Sequence, residues 1–253
     1  MKALKRLLVI PLFILPAMNS YAHEPLYGMG PDVLFKGGFE PHLTFQFNKS
    51  EFENELAVGY GVTRKWSLIP ELSMIRENGN THLGDYKIES NYRFIKIDKE
   101  GISYKASFVS ELTMPFQAGG EKSLMCALTA GQESLRWYWF THGGFEKDLG
   151  GTVWDEGNHF TYGLSIGARP HKPDYYKPDL VLLLEASGNY HQKKIVDETR
   201  AVIEQGNNID LAPTFVFSYR NAAIRGGVQF GWLYSGSAER TDVNAKITLE
   251  IHL

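Results

Sequence analysis

The residues in this chain with the means to do chemistry recur at every second position. Glu71, Lys87, Glu89, Arg93, Lys105, Glu111, Arg136, Arg169, Glu185, Arg225, Lys246 and Glu250 alternate with apolar neighbours. A period of two puts them on one face of β-strands, back to back with an apolar face. With Asp85, Glu146 and Asp210 added, eight acids stand against seven bases on these faces. A strongly selective pore shows one dominant sign. Near balance predicts cross-strand ion pairs that fill or narrow a lumen, because an unpaired buried charge is costly. The twelve residues are therefore read as lumen-lining, either as a satisfied polar core or as a solute pathway.

His23 is the candidate metal residue. If the chain is cut before it, its free amine and imidazole can chelate one ion, and imidazole suits copper and nickel. Glu24 is adjacent, and His42 is a further candidate ligand. The competing reading is a first residue with no ligand role. The remaining histidines lack HxH or HExxH spacing, so no metal enzyme follows and no other cofactor is expected. No GxSxG elbow is present. Ser110, on an apolar face, has no convincing outward histidine beside it, so no catalytic residue is assigned. The lone Cys126 excludes an intramolecular disulfide. Gly119-Gly120 and Gly143-Gly144 read as turns and strand bends, without a phosphate-binding pattern.

The elements that must position these residues begin with an address. Lys2, Lys5 and Arg6 precede an apolar stretch from Leu7 to Met18, and Ser20-Tyr21-Ala22 has the small-x-small pattern of a cleavage site. Residues 1–22 are predicted to be a secretory signal peptide. The formal charge is −3 for 253 residues, and about −6 without the leader's three bases. That balance is opposite to a nucleic-acid footprint, so no nucleic-acid partner is expected. No later run is apolar for long enough to make a transmembrane helix.

Beyond residue 38, alternation dominates. Leu43, Phe45 and Phe47 face away from His42, Thr44 and Gln46. Tyr86, Ile88, Tyr92 and Phe94 oppose Asp85, Lys87, Glu89, Asn91 and Arg93. Ala245, Ile247, Leu249 and Ile251 oppose Asn244, Lys246, Thr248 and Glu250. Twelve such segments of about ten residues are expected, the sixth (around Leu124 to Gly131) being the weakest. Their length suits tilted transmembrane strands. Residues 194–205 allow either a helical turn or a long hairpin. Short connections at 63–65, 98–101, 132–134 and 221–222 alternate with longer ones at 76–83, 117–123, 147–158, 191–206 and 236–242. Short turns on one side and long loops on the other predict an outer-membrane barrel with periplasmic termini. Aromatic residues at strand ends, including Trp66, Tyr86, Phe94, Phe160, Tyr190, Tyr219 and Tyr234, favour interfacial girdles over a soluble barrel.

Several short motifs also resemble a family. They are His23-Glu24-Pro25-Leu26-Tyr27-Gly28-Met29-Gly30-Pro31, Lys36-Gly37-Gly38, Tyr60-Gly61-Val62-Thr63, Gly84-Asp85, Arg136-Trp137-Tyr138-Trp139 and Leu211-Ala212-Pro213. The chain thereby resembles outer-membrane transporters of the phenol meta-pathway type over most of its length past residue 22. The resemblance implies a single outer-membrane barrel with a transport role. The terminal Ile251-His252-Leu253 departs from the aromatic ending common in such barrels.

The sequence thus predicts an all-β protein: a single antiparallel transmembrane β-barrel of about 12 strands over residues 39–253. Residues 23–38, too rich in Gly and Pro for a strand yet carrying Leu26, Tyr27, Val33, Leu34 and Phe35, are expected to form a periplasmic segment or plug. The expected role is a passive channel or export component for a small solute or metal-linked cargo in the bacterial outer membrane, not an enzyme. The alternatives are a structural or binding barrel with a blocked lumen and a lipid-modifying barrel enzyme. Expected partners are the outer-membrane lipid, the barrel-insertion machinery and an unknown small solute.

Overall fold

The structure is a computed structural model, and it describes residues 24–49, 51–77, 79–116, 122–149, 158–172, 174, 176–191, 194–195, 202–203, 205–236 and 243–253. Residues 1–22, expected from sequence to be a signal peptide, and His23 lie outside the described residues. Among the described residues fourteen strands follow one another: β1 (Phe39–Phe47), β2 (Glu51–Thr63), β3 (Trp66–Glu77), β4 (Asn80–Lys99), β5 (Ile102–Pro115), β6 (Ser123–Glu133), β7 (Trp137–Asp148), β8 (His159–Ala168), β9 (Asp179–His191), β10 (Lys194–Ile195), β11 (Val202–Ile203), β12 (Gly206–Tyr219), β13 (Ala222–Gly236) and β14 (Asn244–Ile251). Twelve of them close one antiparallel barrel. The other two, β10 and β11, pair antiparallel with each other, Lys194 opposite Ile203 and Ile195 opposite Val202, as the hairpin reading of this stretch expects, while residues 196–201 lie outside the described residues.

Closure joins β14 to β1, with His42 opposite Glu250 and Phe47 opposite Ala245. Beyond the ladder, the amide of Phe39 donates to the Leu253 carbonyl at 3.0 Å and the amide of Leu253 to the Phe39 carbonyl at 2.8 Å. Glu40 accepts from His42 Nε2 at 2.5 Å and is also paired with His252, across the same seam. The barrel itself is left without an open edge, which is what a bilayer demands of the strands that cross it.

The period of two sets which way each side chain points. Outward positions carry exposed Leu128 (60%), Trp137 (63%), Leu164, Leu182, Leu184, Val228 and Leu249. Inward positions on the barrel strands carry buried Lys105, Ser107, Thr129, Glu185, Asp210, Thr214 and Glu250. Such an inside-out distribution is stable only with lipid around the apolar belt. Strand β6 is regular despite its weak alternation. Met125 and Ala127 face inward and pack with Val109 and Met29, so both of its faces are apolar and its period is masked.

Three sequence expectations need correction. The long loop predicted over 76–83 is a tight hairpin, because β3 runs on to Glu77 and β4 starts at Asn80. Strand β4 is 20 residues, not about ten, and the pairing shifts by a bulge at Arg93/Ile95. The interior is also not uniformly polar. Tyr138, Phe140, Val181, Leu183 and Val216 form a buried apolar cluster on the inner wall of β7, β9 and β12.

The start of β1, the end of β14 and the tight turns at 64–65, 100–101 and 220–221 share one end of the barrel. By the rule of short periplasmic turns this is the periplasmic end. Cysteine placed at Asn80 should react with an impermeant maleimide on intact cells, and cysteine at Lys99 only after lysis. The reverse order would invert the assigned orientation.

Candidate functional site

Residues 24–38 form no regular element, and their backbone enters the lumen. Irregular backbone at membrane depth is tolerated only where protein or water satisfies its polar groups. Here the barrel wall supplies the partners. The segment leaves the β1 end where Gly37 N donates to Gly61 O at 2.7 Å and Gly61 N to Gly38 O at 2.9 Å. A Cβ at residue 61 would stand 1.9 Å from the Phe35 carbonyl oxygen, so the absence of a side chain there lets the two backbones touch. The chain then crosses the bore. Leu34 N donates to Ser67 Oγ at 2.7 Å, Asn91 Nδ2 to Asp32 O at 2.6 Å, and Ser107 Oγ to Pro31 O at 2.5 Å.

Two charged anchors hold it. Lys105 Nζ lies 2.6 Å from Asp32 Oδ1 and 3.1 Å from Glu133, with Arg93 NH1 at 3.7 Å from Asp32. Glu185, 2% exposed, accepts the amides of Leu26 (2.8 Å), Tyr27 (3.0 Å) and Gly28 (3.2 Å) and the Thr214 hydroxyl (2.7 Å). Three successive amides around one carboxylate make a nest, with charge-assisted bonds stronger than neutral ones. Between the anchors, Met29 N donates to His142 Nδ1 at 3.4 Å. The His142 ring occupies space that a Cβ at Gly163 would fill, 2.3 Å from its Cε1. Past Glu185, the Tyr27 hydroxyl donates to the carbonyls of Asn244 (2.9 Å) and Gly227 (3.1 Å), and Arg225 donates to Pro25 O at 3.0 Å. Glu24 accepts the Asp32 amide at 2.8 Å, folding the segment on itself.

Residues 24–30 form one boundary of a cavity of about 470 Å³. One wall, from β2 to β5, carries Glu55, Glu71, Lys87, Glu89 and Glu111. The facing wall, from β8, β9, β13 and β14, carries Thr161, Ser187, Asn189, Gln229 and Asn244, with Lys246 and Arg225 beside them. Its volume lies within the usual range for a small-molecule site.

Six of the twelve predicted lumen residues are brought together around this cavity: Glu71, Lys87, Glu89, Glu111, Arg225 and Lys246. Arg93, Lys105 and Glu185 bind the segment instead. Glu250 is taken by Arg225. Arg169 is paired with Asp179 at 2.8 Å and stacks over Tyr138, away from the cavity. Arg136 is a correction. It is exposed in the turn before β7 and does not face the lumen, since β7 starts only at Trp137. Ser110 pairs across its ladder with Ser90 and Cys126, neither of them a base. Sequence reasoning passed over Asp32, His142, Ser67 and Ser107 as partners within the lumen. Their signal was faint, because their role depends on where the segment lies. The apolar cluster was masked by Leu180 to Leu184, where an unbroken apolar run hides which face is which.

No family model matches the sequence, and no curated protein does so. Solved structures do. An outer-membrane channel from Pseudomonas putida F1 aligns over 91% of this chain and 99% of its own, with TM-score 0.65 at 10% identity. The NanC porin aligns over 85% and 100%, with TM-score 0.56 at 11% identity. The KdgM porin, solved in complex with disordered oligogalacturonate, aligns over 84% and 98%, with TM-score 0.50 at 8% identity. At these identities the likeness is one of fold. The chain has the fold of 12-strand outer-membrane barrels, and its apolar belt suits it to a bilayer.

Proposed function

We propose that the protein is a passive outer-membrane channel for small hydrophilic solutes, its bore narrowed by its own residues 24–38. The observation that carries this reading is the polar cavity inside a closed barrel, bounded by the inserted segment. Two further points support it. The named structural neighbours are porins and a channel. The sequence motifs resemble outer-membrane transporters of the phenol meta-pathway type. An acidic oligosaccharide such as the oligogalacturonate of the KdgM structure is a poor match for a wall bearing Glu55, Glu71, Glu89 and Glu111. Purified full-length protein in planar bilayers should give discrete current steps proportional to voltage. Silence from correctly folded protein would favour the blocked-lumen alternative.

A further inference from the structure

We propose that the cavity is a binding station for small organic cations that donate several hydrogen bonds, amines and guanidinium compounds among them. The proposal names the solute class for the channel reading and rests on that reading for its role in transport.

The near balance of charge seen in the sequence does not survive folding. Most of the bases are already engaged in pairs of their own. Lys105 serves Asp32 and Glu133, and Arg93 leans on Asp32. Arg169 serves Asp179, and Arg225 serves Glu250 and the Pro25 carbonyl. Among the acids, Glu185 is spent on backbone amides and Glu24 on the Asp32 amide. The ionisable groups left facing the cavity are four carboxyl groups, of Glu55, Glu71, Glu89 and Glu111, against the two amino groups of Lys87 and Lys246. Low-dielectric walls focus that excess field into the bore.

Position sharpens the point. Glu71 is directly opposite Lys87 across β3 and β4, but Glu89 is directly opposite Glu111 across β4 and β5. Two carboxyl groups so placed repel one another when both are ionised, and a cation between them removes that penalty. Lys87 already stands in the field of Glu53, Glu55, Glu71 and Glu111, so it offers an incoming anion little.

Hydrogen-bond capacity gives an independent sign of the same ligand. Asn91 is 4% exposed and lines the cavity. Its amide nitrogen is used by the Asp32 carbonyl, while its Oδ1 is buried without a partner. Asn244, on the facing wall, likewise has a buried Oδ1 without a partner. The Gln229 amide nitrogen is occupied by Ser187 at 3.1 Å and Asp210 at 3.4 Å. The two buried asparagine oxygens accept and do not donate, so a ligand that satisfies them brings donors. Among the described residues no three His, Cys, Asp or Glu side chains come close enough to hold a bare metal ion. An extended cation that spans the walls fits where a naked ion does not.

The test uses full-length protein in detergent and hexaamminecobalt(III), whose ammine ligands are all donors, as the calorimetric probe at low ionic strength. One saturable site is expected. Glu89→Gln with Glu111→Gln should weaken it roughly tenfold, and Lys87→Gln should tighten it. Each variant is checked for folding by its heat-dependent gel mobility. The opposed directions keep the test decisive if one variant misfolds. In planar bilayers under a KCl gradient, the reversal potential should report preference for potassium, reduced by the double substitution. No saturable binding, or affinity unmoved by either variant, overturns the proposal. Current steps with chloride preference overturn it while leaving the channel reading intact. Saturable binding without any current leaves the cation site standing and removes the channel reading.

Discussion

Deleting residues 24–35 is expected to raise single-channel conductance several-fold while leaving a folded barrel. The barrel's ladders run strand to strand, and closure is made by β1 with β14, all outside the deleted stretch. What the deletion removes is the backbone crossing the bore from Ser67 through Ser107 and His142 to Glu185. The groups left behind are not stranded. Lys105 keeps Glu133, and Glu185 keeps the Thr214 hydroxyl and gains water in the widened lumen. A milder arm of the same experiment is Gly61→Ala. Its methyl group would collide with the Phe35 carbonyl and push the segment from the wall without shortening the chain. Conductance of the deleted form equal to that of the intact chain would show that the segment does not restrict the path.

The second large effect concerns the outer face. Leu164→Arg or Val228→Arg should lower the stability of the barrel in lipid vesicles by about 2–4 kcal/mol, the usual cost of arginine near the midplane of such proteins. Both side chains are exposed on the apolar face, at 47% and 42%. Thr161→Arg, on the cavity wall three residues from Leu164, should cost clearly less, because its guanidinium meets water and carboxylates. Urea titration of the folded fraction in vesicles reads the order. An inverted order would mean that the apolar face packs inside a soluble protein.

The barrel was readable because a two-faced strand writes its geometry into alternate residues. Tyr86 to Arg93 shows it most clearly, with aromatic and charged side chains falling on opposite faces as the sequence requires. Reading weakened wherever the inner face is apolar. Met125 and Ala127, pressed against Met29, and Val181 and Leu183, within the inner cluster, turn alternation into a continuous apolar run. Strand ends were read less well than strand centres. Residues 76–83 look loop-like because Asn78, Gly79 and Asn80 crowd together, yet the ladder carries Arg76 opposite Thr81 and Glu77 opposite Asn80.

The lumen was harder still. Inward charges can be counted from sequence, but their partners cannot, since Asp32 meets Lys105 across 73 residues and Leu26 meets Glu185 across 159. The segment's apolar residues showed that it needed cover, and the lumen wall supplies it: Leu26 is 6% exposed and Met29 packs against Val109, Met125 and Ala127. Phe35 is the exception, still 43% exposed where the segment leaves the barrel end. The excess of carboxylates around the cavity emerges only after those long-range pairs are drawn.

Osmotic swelling of liposomes tests the central claim most directly. Vesicles carrying the full chain, placed in isotonic solutions of uncharged solutes of increasing size, should swell quickly with the smallest and progressively more slowly with larger ones. The same vesicles carrying the chain without residues 24–35 should admit solutes that the full chain excludes. Failure of both proteins to admit even the smallest solute, with the barrel shown to be folded, would contradict the account.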